Sequence, residues 1–119
     1  MAYVDGFVIA VPKDKLDAYK QMARESESIW KEFGATDFVE CVGDDVPHGE
    51  LTSFPRAVQA KDNETVVFSW IVYPDRATRD AASKKIMEDP RLKKMMENPP
   101  FDGKRMIFGG FKPFLGLAA

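Results

Sequence analysis

Residues 65–73, TVVFSWIVY, decide the fold: Thr65 to Tyr73 are almost wholly β-branched or aromatic, the composition that suits a packed, extended backbone. Pro74 follows, and because it has no N–H to give a ladder the strand ends there. Successive side chains of a strand point to opposite faces, so Val66, Phe68, Trp70 and Val72 form one uninterrupted apolar row. That row is expected to lie beneath helices. The other row, Thr65, Val67, Ser69, Ile71 and Tyr73, mixes polar with apolar groups and is expected to face away from them.

Working back towards the N-terminus, Asp62-Asn63-Glu64 reads as a turn and AVQAK, 57–61, as a short strand leading into it. Before that lies a loop, 45–56, in which Pro47, Gly49 and Pro55 disfavour regular structure. TDFVECVGD, 36–44, reads as another strand. Between Lys15 and Phe33 the apolar positions Leu16, Tyr19, Met22, Ala23, Ile29, Trp30 and Phe33 recur at helical steps, with Asp14 as the expected N-cap and Gly34 as the terminating residue. YVDGFVIAV, 3–11, is a strand stopped by Pro12.

In the other direction, Asp75 can cap a helix that runs to about Glu88 and is broken by Pro90. RLKKMMEN, 91–98, forms a short helical segment before Pro99-Pro100. RMIFGGFKP, 105–113, is a last strand with Gly109-Gly110 at its centre, and FLGLAA, 114–119, is a short apolar tail. The order β-α-β-(β)β-α-β is that of an α+β, ferredoxin-like domain occupying residues 1–119, an antiparallel sheet with two helices on one face.

The 119 residues, 45% hydrophobic and 30% charged, suit one globular domain. A formal net charge of −2, from 17 Lys plus Arg against 19 Asp plus Glu, gives no reservoir for nucleic acid or an anionic membrane. No strand carries the aromatic-basic pattern of an RNA-reading sheet, which leaves RNA binding a weak third function. No apolar run spans a bilayer and no basic leader precedes the first strand, so a cytoplasmic protein is expected. A single cysteine, Cys41, excludes an internal disulfide and a multi-thiolate zinc site.

The face turned away from the helices would carry Phe7, Ile9, Phe38, Val42, Val67, Ile71, Ile107 and Phe111. Such a patch needs a cover, and the simplest is a second copy, giving a homodimer whose sheets enclose a shared space. On that inner face fall Asp5, Glu40, Ser69, Tyr73 and Arg105, drawn from four strands and set among apolar neighbours. Arg105 is expected to pair with Asp5 or Glu40, either as a structural bridge or as the grip on a ligand's oxygen, with Tyr73 or Glu40 moving a proton. The loop 45–56 would then be a lid through His48, Thr52, Ser53 and Phe54.

His48 has only oxygen ligands nearby, Asp44, Asp45 and Glu50, which argues against a metal, and its place on a loop argues against haem. No cofactor is expected. Cys41 is assigned to the helix side as a small buried hydrophobe, and Trp30 and Trp70 to the core between helix and sheet.

The stretches YVDGFVIAVP, ECVGDDV, LTSFPRAV, ETVVFSWIVYPDRATRD, DPRL and PFDGKRMIFGGF, in that order, resemble the YbaA-like family of uncharacterised bacterial proteins, a domain of unknown function in the dimeric α/β-barrel superfamily. The resemblance spans nearly the whole chain, the tail 114–119 apart. It implies a ferredoxin-like dimer and brings no reaction with it. Analogy with the superfamily implies small-molecule binding between the sheets, with cofactor-independent oxygenase or isomerase chemistry as its enzymatic form. The alternative is a non-catalytic interaction protein whose dimer interior is packed shut.

Overall fold

A computed structural model describes residues 1–117; Ala118 and Ala119 of the apolar tail lie outside the described residues. Four strands, β1 (Tyr3–Pro12), β2 (Asp37–Val42), β3 (Glu64–Tyr73) and β4 (Ile107–Phe111), form one sheet in the order β2-β3-β1-β4. Every neighbouring pair is antiparallel. The helices are α1 (Leu16–Glu32), α2 (Phe54–Ala57), α3 (Arg76–Glu88) and α4 (Pro90–Met95). This is the ferredoxin-like α+β arrangement.

Several local expectations hold for simple reasons. Asp75 accepts a hydrogen bond from the Thr78 N–H at 2.7 Å and caps α3. Gly34 follows the end of α1 with φ at +115°, a conformation that needs glycine. Pro90 closes α3 and, having no N–H to lose, starts α4, whose cap is Asp89. Asp14 is not a cap: a 3-10 turn over Lys13–Lys15 encloses it, and the residue preceding α1 is Lys15.

Residues 57–61 are not a strand. Ser53 accepts from the Arg56 N–H at 3.1 Å and Pro55 stands in the first turn, so the local chemistry starts the short helix α2 instead. The last strand begins at Ile107 rather than 105, because Arg105 closes a turn on Asp102.

The two faces of the sheet are exchanged relative to the expectation. Ile9, Val11 and Val67 pack with Tyr19, Leu16, Met22 and Ala23 of α1, while Ile71 and Tyr73 pack with Trp30 of α1 and with Ala82 and Ile86 of α3. The row expected to face away therefore lies under the helices. The all-apolar row is on the other face, where Val58 and Ala60 cover Val8, Ala10 and Val66, and Phe54 sits edge-on against Phe68 at 5.9 Å. Cys41 and Trp70 go with it: Cys41 is exposed and Trp70 half-buried, whereas Trp30 does pack between helix and sheet against Phe38. Alternation decides a face only where one row is polar, and β3 is apolar enough on both to be covered twice.

On the face away from α1 and α3, Phe68, Ile107 and Phe111 remain 43%, 44% and 62% exposed. With half-buried Val4, Val39 and Trp70 around them they form the open apolar face of the molecule.

Candidate functional site

Between the sheet and α1, α3 and α4 lies a cavity of about 390 Å³. Phe7 and Ile9 of β1, Phe38 of β2 and Ile71 of β3 floor it, and Ala23, Trp30, Ile86 and Leu92 contribute to its helical wall. Met22, Met87, Met95, Met96 and Met106 also line it, so five of the chain's six methionines surround one space. Flexible thioether side chains make a wall that adapts to the shape of its contents.

Few polar groups meet this space. Ser26 turns its hydroxyl back to donate to the Met22 carbonyl at 2.8 Å, which satisfies it within the helix. Glu40 on β2 and Ser69 on β3 are directly paired across the two strands and both line the cavity. Tyr19, itself 4% exposed, donates from its hydroxyl to Glu40 Oε1 at 2.7 Å. Phe101 packs edge-on against the Tyr19 ring at 5.8 Å and holds it in place.

A second cavity of about 320 Å³ adjoins the first, and Tyr19, Ala23, Phe38 and Glu40 line both. Its other walls include Lys20, Arg24 and Glu27 of α1 with Cys41, Val42 and Val67. Glu40 therefore stands between an apolar inner space and a more polar outer groove. Its surface is accessible, but much of its surrounding is hydrocarbon. That desolvation raises its carboxyl above the usual carboxylate range, against the opposing hydrogen bond from Tyr19. The same desolvation, reinforced by the Glu40 charge, raises the Tyr19 phenol, so Tyr19 keeps its proton and acts as donor.

Of the five ligand-binding candidates, the structure brings Glu40 and Ser69 together, groups Asp5 with Tyr73 elsewhere on the same face, and sets Arg105 apart. All of Asp5, Glu40, Ser69 and Tyr73 lie on the helix side, not the open face where they were expected. Asp5 faces Arg79 of α3 at 3.8 Å, and Arg79 donates to the Tyr3 hydroxyl at 3.0 Å while lying over its ring. Burial raises the Asp5 carboxyl more than Arg79 lowers it. Tyr73 is pushed up to about 12, first by burial and then by the Asp5 charge. This cluster depends on Gly110, where a Cβ would overlap the Tyr3 ring and hydroxyl. Neither Asp5 nor Tyr73 lines the 390 Å³ cavity.

Arg105 pairs with neither Asp5 nor Glu40. Lying in the turn before β4, it donates through both terminal nitrogens to the two oxygens of Glu64 at 2.7 Å each. It also donates to Asp102 at 3.0 Å and to the Gln59 carbonyl at 2.9 Å. The Glu64 side chain is 3% exposed, and this fork holds its carboxyl down at about 2. Arg105 is thus a clamp on the entry to β3.

The lid residues fare similarly: none of His48, Thr52, Ser53 and Phe54 lines the cavity. Phe54 packs on the open face, Ser53 caps α2, and Arg56 ties the loop down by donating to the His48 and Gly49 carbonyls at 2.9 and 3.1 Å. Phe54 thus lies across the sheet from Glu40 and Ser69. The residue that sequence reading missed is Tyr19, whose helical spacing marked it only as core; the methionine cluster at 22, 87, 95, 96 and 106 was the unused signal. Among the described residues, no group of three or more His, Cys, Asp or Glu is placed to hold a metal ion, and no helix is long and apolar enough to cross a membrane.

Residues 2–103 match the family model described as protein of unknown function DUF1428. The uncharacterized protein YbaA of Escherichia coli K12 is 57% identical over 115 residues, covering 97% of this chain and 98% of the relative, and the protein of the same description from Shigella flexneri gives the same figures. Among solved structures, a dimeric ferredoxin-like protein from an uncultured marine organism aligns over 100% of both chains with a TM-score of 0.64 at 10% identity. SnoaB, a cofactor-independent oxygenase from Streptomyces nogalater, aligns over 99% of this chain and 96% of its own with a TM-score of 0.51 at 12% identity. At such identities the solved structures speak for the fold alone.

Proposed function

We propose that the chain, which belongs to the DUF1428 family of proteins of unknown function, is a homodimer whose protomers each bind a small, mostly apolar molecule between the sheet and helices α1, α3 and α4. The observation that carries this reading is the cavity of about 390 Å³, lined mostly by apolar side chains, with Glu40, Tyr19 and Ser69 among its few polar groups. Small-molecule sites of ~300–1,000 Å³ have this character, a hydrocarbon wall with a few placed polar groups that orient the ligand. The five methionines let one wall accept ligands of differing outline.

The dimer rests on the opposite face. Phe68, Trp70, Ile107 and Phe111 cannot all stay in water without forming an adhesive patch, and a second copy of the same sheet face covers them by symmetry. Support comes from the fold: a solved protein of the same architecture is described as dimeric. In this arrangement the space between the sheets is filled by aromatic side chains, and the ligand lies on the far side of each sheet. A protein described as a cofactor-independent oxygenase shares the fold, which agrees with small-molecule work without specifying a reaction.

Two experiments test the two halves. Native mass spectrometry should give twice the chain mass, and Trp70→Glu, which puts a charge into the interface, should give the single-chain mass while keeping the helical signal. A wild-type monomer at micromolar concentration contradicts the dimer. For the cavity, the probe is 2-tetralone, titrated into protein carrying 13C-methyl methionine. The resonances of Met22, Met87, Met95, Met96 and Met106 should move while Met1 stays. Ala23→Phe, which adds a ring to the cavity wall, should weaken the response at least tenfold; an unaltered wild-type spectrum contradicts the binding reading.

A further inference from the structure

Glu40 has the surroundings of a proton acceptor. Its Oε1 takes the Tyr19 hydroxyl at 2.7 Å, and among the described residues Oε2 has no protein donor. Cations would silence it by pairing, as Arg105 does Glu64, yet no salt bridge engages Glu40 among the described residues. The charged groups sharing its two cavities are Lys20, Arg24 and Glu27 of α1 in the outer groove and Lys93 of α4 among the inner lining. The outer groove gives the carboxyl a second side, away from the inner space. Ser69, directly across the β2–β3 ladder, supplies a hydroxyl at the same end of the cavity.

We propose that Glu40 is a general base for a ligand in the inner cavity, and that the substrate class is an apolar ketone with an acidic C–H next to its carbonyl. The inference rests on the cavity being a ligand site. The α-C–H bond breaks and its proton passes to Glu40 Oε2, turning the carboxylate into an acid. The bond's electron pair becomes the C=C of an enolate, whose negative oxygen can accept a hydrogen bond from Ser69. Return of the proton to carbon, at the original or a conjugated position, restores the carbonyl. The outcome is proton exchange or double-bond isomerisation, with no oxidant or reductant. Tyr19 is a positioning residue: it fixes one carboxylate oxygen so that the other meets the substrate. A carboxyl held above its usual range, as here, is a stronger base when ionised than a solvated one.

The assay is deuterium uptake at C1 of 2-tetralone in D2O, read by proton NMR beside the methionine-methyl titration. Wild type should accelerate uptake at least tenfold over the same concentration of Glu40→Gln. Gln still accepts from Tyr19, so that variant should keep its methyl spectrum and its affinity. Glu40→Asp, which retracts the carboxylate by one methylene, should fall between them and covers the case in which Gln misfolds. In Tyr19→Phe the midpoint of the pH–rate profile should rise, because the lost hydrogen bond had favoured the ionised form; an unmoved midpoint removes Tyr19's positioning role. Equal uptake by wild type and Glu40→Gln, or binding without acceleration, overturns the general base and leaves the binding site standing. No methyl shift with 2-tetralone overturns both.

Discussion

Two glutamates on neighbouring strands show what a carboxylate becomes when its surroundings differ. Glu64, at the start of β3, takes a two-pronged guanidinium at 2.7 Å and a further backbone N–H from Lys61 at 2.7 Å. Its charge is fully answered, and its carboxyl sits at about 2. Glu40, in β2, takes one phenol hydroxyl where the apolar cavity meets the more polar groove, and its carboxyl moves the other way. A saturated carboxylate holds strands in place, whereas an under-served one is available to a ligand. The sequence pattern joins Arg105 to Asp5 or Glu40; the structure gives Arg105 to Glu64 instead.

The largest effect is expected where the pairing is complete. Arg105→Ala leaves the Glu64 carboxylate almost buried and without its counter-charge, a loss of about 3–5 kcal/mol for a broken buried pair, measured by urea denaturation. A loss below about 1 kcal/mol would put Glu64 in the same class as an exposed ion pair and dissolve the contrast.

Next comes the pH dependence, where the two glutamates act with opposite sign. Glu64 titrates at about 2 folded against 4.5 as its ordinary value. Its stabilisation is therefore complete above about pH 4.5 and is lost as the pH falls towards 2. Glu40 is raised, so its ionisation opposes folding: stability falls as the pH climbs from its ordinary 4.5 through the raised folded value. Thermal melts across pH 2–8 should show the acid limb flattened in Arg105→Ala. The gentler decline on the other side should shrink in Glu40→Gln, leaving the part that the raised Asp5 carboxyl contributes.

The smallest effect on stability belongs to Glu40→Gln at neutral pH, where removing a disfavoured charge should leave the melting temperature equal to or above that of wild type. A marked drop would mean that the Glu40–Tyr19 bond is a structural tie like Glu64–Arg105.

How far the residues foretold this follows from contrast. Where neighbouring signals differ sharply, as at Pro12, Gly34, Asp75 and Pro90, the element order and most boundaries were legible, and the family resemblance agreed with them. The faces were not, because TVVFSWIVY is apolar on both rows; one is covered by helices, the other in part by Val58, Ala60 and Phe54. That single inversion put Glu40 and Ser69 on the wrong side of the sheet, so Phe54 of the loop 45–56, which does pack on the face away from α1 and α3, does not meet them. Arg105 was misplaced for a separate reason: the Asp102–Arg105 turn delays β4 by two residues, and strand parity cannot reveal a turn. Glu40 and Ser69 still meet because their β2–β3 pairing does not depend on which face is covered.

The most direct test of the account is the measurement of intermolecular NOEs between 2-tetralone and the methyl-labelled protein. Contacts to the methyls of Met22, Met95 and Met106, with none to Met1, are the expected result and place the ligand between helices and sheet. Contacts confined to Phe68, Trp70 and Phe111 would place it on the open face and contradict the account.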